Sequence, residues 1–370
     1  MTSLSRQLAA GALSAVLALG VTVPRALGQG GEEGTSDPPR VVPTMQTVIT
    51  GYGTIGWFGQ PYKAGSNAFT AALNPIFLFQ FQRRWLFEAE LEFQVQEGIT
   101  ETGLEYAQLD VIAADNLTLV GGKFLLPFGV FGERLHPTWI NKFPTAPPIY
   151  GHHVSAFGAD PLLPILSDIG VMARGMLRLN RWHLDLIGFL SQGPAIEGSD
   201  SIPEFTFPAG SSDINSGKMV GGRLDISLPP YVEVNVSALN GDYDSLGVLD
   251  LTAYNIAASA RYRGVELRGE YLQTRQEIEV PTGFPTLRRH GFYSQLSYRR
   301  GAWEPLLRWT QVFADKLEGQ QVADGAWQLG LGLDYWFSPS IAIMGGYELN
   351  REGGPEIDND RFVAHVAFGF

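Results

Sequence analysis

Few residues in the chain have types and spacing that could do chemistry. Gly51-Tyr-Gly53-Thr-Ile-Gly56 fits the G-x-G-x-x-G spacing of a dinucleotide loop. That chemistry needs a helix opening at the glycines and an acidic residue about twenty positions on. Here the run sits inside an alternating segment, and Asn74-Pro75 stands at that distance. His152 and His153 could each offer an imidazole to a metal, but neighbours in extended chain point apart, so a loop contact is expected and no metal. Glu88, Glu90 and Glu92 repeat at the spacing of paired acid–base carboxylates. Their threefold repetition on one face reads instead as a stripe bordering water. No Gly-x-Ser-x-Gly elbow and no His-Glu-x-x-His motif occurs. The chain is expected to be no enzyme and to use no cofactor.

Composition narrows the class. The 370 residues include no cysteine, which excludes disulfides, Cys-ligated metals and covalent c-type haem. Charged residues make up 17%, against about 25% in a soluble domain. The net charge of −12 argues against a nucleic-acid partner, which needs a basic face. Arg6 precedes an apolar, Ala-rich run from Leu8 to Val23, and Ala26-Leu27-Gly28 supplies small residues for cleavage. Residues 1–28 therefore read as a secretory signal peptide, and 29–44 as a flexible periplasmic segment. Residues 45–370 are expected to form the barrel described next.

The elements that position the charges are strands. In Trp85–Gln96, Trp85, Phe87, Ala89, Leu91, Phe93 and Val95 fall on one face, and Glu88, Glu90, Glu92, Gln94 and Gln96 on the other. A strand separates them in this way, whereas a helix would scatter them. Similar runs are expected at 46–58, 72–82, 85–96, 104–114, 117–126, 169–179, 182–191, 218–228, 231–240, 251–262, 265–273, 291–299, 303–313, 326–337, 341–350 and 361–370. Connections alternate between very short, such as Asp115-Asn116 and Arg263-Gly264, and long. No stretch of about 18 apolar residues follows the leader. The pattern predicts an all-β, up-and-down transmembrane barrel of about 16 strands, because in hydrocarbon every backbone group must be paired by a helix or a closed sheet. Trp85, Trp182, Tyr231, Trp303, Trp336 and Phe337 beside the short turns read as an interfacial girdle.

Phe362, Val366, Phe368 and Phe370 alternate to the last residue. That ending resembles the C-terminal signature of bacterial outer-membrane proteins, which implies recognition of Phe370 by the outer-membrane assembly machinery and closure against the first strand. The longest connection, 125–167, is expected to fold inward as a constriction. It opens with Gly122-Lys123-Phe124-Leu125-Leu126-Pro127-Phe128-Gly129, which is similar to the Gly-Lys-Phe…Pro-Phe-Gly stretch of the phosphate-selective (O and P type) porin family. The resemblance implies an outer-membrane channel, a third loop within the lumen and a homotrimer.

Strand parity places eleven acids and nine bases on the lumen face, with no basic ladder. Glu88, Glu90, Glu92 and Asp110 lie on the third and fourth strands, and Arg174 and Arg178 on the sixth. Together with Arg223 these are expected to set a field across the bore. Lys123, Arg134, His136, Lys142, Asp160 and Asp168 are expected at the constriction. Loop acids such as Asp244, Asp315 and Asp360 could share divalent cations with lipopolysaccharide phosphates, so outer-membrane lipid and lipopolysaccharide are expected partners. The expected function is passive diffusion of small ions and polar solutes. The alternatives are a barrel that sheathes a partner and an outer-membrane hydrolase.

Overall fold

A computed structural model of the chain describes residues 45–59, 67–96, 99–151, 157–197, 204–207 and 217–370. The expected signal peptide and periplasmic segment, and His152-His153, lie outside the described residues. Sixteen long strands run in order: β1 Gln46–Gly59, β2 Asn67–Phe81, β3 Trp85–Gln96, β4 Ile99–Ala114, β5 Leu117–Leu125, β6 Ser167–Leu179, β7 Trp182–Ser191, β8 Met219–Leu228, β9 Val232–Asp242, β10 Asp250–Tyr262, β11 Val265–Glu277, β12 Thr286–Tyr298, β13 Trp303–Val312, β14 Ala326–Ser338, β15 Ile341–Glu352 and β16 Arg361–Gly369. Each pairs antiparallel with its sequence neighbours, and β1 closes on β16 with Tyr52 opposite Gly369 and Gly59 opposite Phe362. Two short hairpins, Ala195–Glu197 with Glu204–Thr206 and Asp315–Leu317 with Gln320–Ala323, decorate long loops.

Closure leaves no unpaired sheet edge, which is the condition for a sheet to cross hydrocarbon. The last strand is locked by reciprocal backbone hydrogen bonds between Gly51 and Phe370, at 3.1 and 2.9 Å. Phe370 and Phe368 lie over Gly51 and Gly53, where a Cβ would sit 2.8 and 2.6 Å from their rings. The glycine spacing that mimics a nucleotide loop thus makes room for two C-terminal phenylalanines on the outer surface.

The polar and apolar faces are turned inside out relative to a soluble protein. Leu186, Val236, Ile256, Leu267, Leu307, Leu331 and Ile343 are exposed on the outer wall, whereas Glu90, Arg223, Arg268, Glu304, Arg308 and Glu348 are buried within. A soluble monomer rarely exposes an apolar patch above a few hundred Å², and here the apolar surface encircles the barrel. Trp85, Trp182, Tyr231, Trp303 and Phe337 are exposed beside short turns, as expected of the girdle. Trp336 departs from that expectation: it is buried inside with the Arg299 guanidinium 4.5 Å above its ring. The belt has a direct test. Leu186→Arg, in the middle of β7 and 66% exposed, should cost about 2–4 kcal/mol of folding stability in bilayers, read from urea titration. No loss in lipid would place this surface in water.

Candidate functional site: the lumen and its inward loop

Residues 126–166 fold back into the barrel and divide its interior. Toward the long-loop rim the division is dry. Phe131, Ile149, Leu162 and Leu163 of the loop meet Phe189, Met219, Leu239, Leu272 and Val312 of the wall, all buried in one cluster. Tyr150 stacks on Phe131 with ring centroids 5.2 Å apart. Lower down, Phe143 is fully buried against Gly330, Gly332 and Gly346, where any Cβ would come within 2.9–3.2 Å of the ring. Three glycines on β14 and β15 therefore carve a seat for one loop side chain, and the Arg308 guanidinium lies 4.1 Å over its ring.

Polar fasteners surround the apolar contacts. The Glu270 carboxylate accepts the backbone N–H groups of Val130 and Phe131 at 3.1 and 2.7 Å, and the hydroxyls of Tyr150 and Tyr293 at 2.8 and 3.1 Å. Lys142 donates to Glu266 and Glu304, at 2.8 Å each. Arg268 donates to the carbonyls of Ile140 and Asn141, Arg308 to that of Thr145, and Arg289 to those of Asp160 and Pro161. Buried loop carbonyls thus find donors on the wall, as a loop in a low-dielectric interior requires.

Below the loop, toward the short-turn rim, lies a cavity of about 930 Å³. Its lining reaches from Asn116 and Pro229 in short turns up to Val130–Pro137 of the loop. Eight acids and six arginines line it, many of them in contact. Arg223 pairs with Glu133 at 2.5 Å and Asp225 at 2.7 Å, and Arg134 with Glu233 at 2.6 Å and Asp225 at 3.2 Å. Burial raises the pKa of Glu133, and the guanidiniums of Arg223, Arg134 and Arg174 outweigh it, so this loop carboxyl is held below its usual value. Burial pushes the His136 imidazole below its usual value; the ring contacts the Gly132 carbonyl at 2.6 Å and the Tyr52 hydroxyl at 3.2 Å.

The sign of a pH effect follows from Glu133. A depressed folded-state pKa contributes stability that is present above the unfolded carboxylate value, near 4.3, and is lost as pH falls through the folded value. Exchange of loop amides 130–136 should therefore be slow at pH 7 and accelerate, after correction for intrinsic rates, below about pH 4. Protection that is constant down to pH 3 would remove Glu133 from the clamp.

Comparisons with known proteins follow the same geometry. No known family profile matches the chain, and no curated protein matches it by sequence. Solved structures do. OmpF of Salmonella typhi, in complex with daunomycin, superposes with a TM-score of 0.62 over 88% of this chain and 97% of that one, at 12% identity. An anion-selective porin from Comamonas acidovorans gives 0.58 over 88% and all of its own chain, also at 12% identity. The trimer form of OmpT, an outer membrane protein of Vibrio cholerae, gives 0.56 over 88% and 99%, at 8% identity. The fold is porin-like.

Within this porin-like barrel the expected site residues separate into two groups. Glu88, Glu90, Asp110, Arg134, His136, Arg174, Arg178 and Arg223 line the cavity. Glu92, Lys123, Lys142, Asp160 and Asp168 do not. Lys123 shares its face with Ala107 and Ile169, opposite in parity to the buried Val120 and Phe124, and its ammonium donates to the Leu104 carbonyl at 2.6 Å. Lys142 is consumed by Glu266 and Glu304. Asp160 offers its backbone carbonyl to Arg289, and its side chain is exposed. Asp168 accepts the N–H groups of Ile169 and Gly193, each at 2.7 Å, tying down a loop start.

The expected field across the bore, from acids on β3 and β4 to arginines on β6, is not what the structure holds. Asp110 and Arg174 stand only one strand apart, 3.8 Å from each other, so the opposite signs are neighbours along one side rather than poles across the bore. Of the rim acids, Asp315 and Asp360 are engaged by Arg289 and Arg351 at 3.0 Å, and Asp244 caps the N–H groups of Leu246, Val248 and Leu249. Glu304 and Arg289, which hold the loop, are lumen charges outside the eleven acids and nine bases that strand parity places there. Alternation outward through Trp303, Pro305 and Leu307 already carries Glu304 inward, whereas Arg289 lies in the five residues by which β12 extends beyond its expected start.

Proposed function

We propose that the protein is an outer-membrane porin that passes small ions and polar solutes by passive diffusion, with no enzymatic step. The observation that carries this reading is the pairing of a continuous apolar outer belt with a charged inner cavity beneath a firmly anchored loop. The loop sets the radius, and the charged lining sets what passes. Because acids and bases alternate and pair along the lining, the channel discriminates weakly by sign.

The resemblance to phosphate-selective porins is confined to the loop entrance. In Gly122–Gly129, Phe124, Leu126 and Phe128 drive into the dry cluster, and Gly129, at φ +64°, turns the following N–H groups toward Glu270. Lys123 points away from the lumen, so the motif supports a shared loop architecture and not an anion ladder. A sheath around a polymer or cytochrome needs an empty bore, which the chain's own loop occupies. Under this reading residues 1–28 are removed on export, Phe370 is read by the assembly machinery, and three copies associate in the outer membrane.

Liposomes containing the protein should swell in small neutral and zwitterionic solutes and remain shut to trisaccharides. Under a salt gradient the reversal potential should lie close to zero. Absence of swelling with every solute would reject the channel. A strong preference for phosphate over chloride would reject the balanced lining.

A further inference from the structure

On the outer wall near the long-loop rim, three cations face one another across neighbouring strands. Arg275 of β11 is the register partner of Arg288 of β12, and Arg288 is the partner of Lys316 in the hairpin that prolongs β13. All three are exposed. Like charges directly opposite across a sheet destabilise the pairing, and among the described residues none of the three has an ion-pair partner. Three nearby carboxylates are engaged elsewhere: Asp315 pairs with Arg289 at 3.0 Å, Glu277 accepts the N–H of Asp250 at 3.2 Å, and Glu318 that of Thr286 at 2.8 Å.

The surroundings are layered. Arg275 lies 5.7 Å over the Tyr254 ring, and a cavity of about 290 Å³ lined by Thr286, Arg288, Glu318 and Gly319 opens beside Arg288. One step toward the belt, His290 stacks on Phe313 at 4.6 Å, with Tyr271 6.1 Å from His290. Phe292 continues the aromatic layer, 6.2 Å from Phe313, and exposed Leu267, Leu296 and Leu307 lie farther down the same wall, near its short-turn end. Cations at the rim above an aromatic, outward-facing wall match, in order, a phosphate-bearing headgroup and the start of its acyl chains.

We propose that Arg275, Arg288 and Lys316 form a binding site for the phosphate groups of an outer-leaflet glycolipid of the lipid A class. A phosphate monoester brings close to two negative charges and three acceptor oxygens, enough to engage two guanidiniums and an ammonium and to relieve their mutual repulsion. The site faces the belt rather than the lumen, so its ligand carries acyl chains. The inference rests on the reading above, that the long-loop rim meets the outer leaflet.

The test is native mass spectrometry of the full folded chain in detergent with diphosphorylated lipid A, with dephosphorylated lipid A, and with inorganic phosphate as competitor. Three variants accompany the wild type: R275Q/R288Q/K316Q, the charge-preserving R275K/R288K, and R83Q/R84Q at the opposite rim. The triple variant should bind lipid A about 100-fold more weakly, and dephosphorylated lipid A should bind the wild type equally weakly. The opposite-rim variant should stay within about threefold of wild type, the lysine variant should fall between wild type and the triple variant because it keeps the charges and loses the guanidinium forks, and millimolar inorganic phosphate should displace nothing. Full lipid A binding by the triple variant, an equal loss at the opposite rim, or displacement by inorganic phosphate would each overturn the site. Heat-modifiable migration verifies folding, and the single variants R275Q and R288Q, each expected to bind about fivefold more weakly, carry the test if the triple variant does not fold, full binding by both overturning the site. Conductance of the triple variant should equal that of wild type, so lost lipid binding with a normal channel judges the site alone. Absent conductance in every variant judges the channel alone.

Discussion

Replacing Glu270 by alanine should release the start of the inward loop and cost about 3–5 kcal/mol. The carboxylate sits inside β11 with its oxygens taken by two loop N–H groups, two tyrosine hydroxyls and the Asn255 amide. Removing it strands donors that are mostly walled off by the apolar cluster, and a stranded buried donor costs about 1–3 kcal/mol. The sum stays below five full penalties because Val130 and Glu270 also border the wet cavity, from which water can replace part of the loss. Amide exchange at Val130 and Phe131 should rise by two to three orders of magnitude, on the order of 3–4 kcal/mol of lost protection. Single-channel records should become larger and noisier. Glu270→Gln keeps one acceptor and should fall between. Unchanged exchange in Glu270→Ala would show that the apolar contacts alone hold the loop.

Lys142→Ala should be comparably severe for a different reason. Lys142 ends the short helix Thr138–Asn141 with a left-handed backbone, φ 62°, and carries its ammonium into the wall between Glu266 and Glu304. Glu304 is fully buried and directly opposite Asp334, which is also fully buried. Deleting the lysine leaves these carboxylates without their cation, and breaking a buried pair from one side costs about 3–5 kcal/mol. The midpoint of urea unfolding should drop accordingly. Adding Glu304→Gln to Lys142→Ala should recover part of the loss. A cost below about 1 kcal/mol would mean that the acids are neutral without help and that Lys142 is not their counter-ion.

The fold was largely written in the alternation of side chains. Trp85–Gln96 shows why: where one face touches lipid and the other touches water, polarity switches at every residue and the strand identifies itself. The short turns and the third long connection follow from the spaces between such runs. The same logic explains Lys123 and Trp336. Along Leu117–Leu125 both faces are apolar, because Val120 and Phe124 pack against the loop while Leu119 meets lipid. Alternation then cannot say which way Lys123 points. Trp336 is lost in the same way, since it packs inward with Trp139 of the loop.

The partners of the loop are beyond sequence parity for a deeper reason. Parity tells which wall residues face inward, but not which of them a returning segment will touch. Asp160, Asp168 and Lys142 read as free charges for solutes because their partners, Arg289, Gly193 and Glu304, are 25 to 162 residues away. The glycines at 330, 332 and 346 carry a usable signal in hindsight. Small residues recurring on the inward face of adjacent strands mark a place where something bulky must come close.

The most direct test is conductance of the full mature chain in planar bilayers. A steady ohmic pore is expected, small because the loop fills much of the bore, with Glu270→Ala conducting more than wild type. Bilayers that stay electrically silent with both proteins, despite verified insertion, would contradict a wet passage alongside the loop.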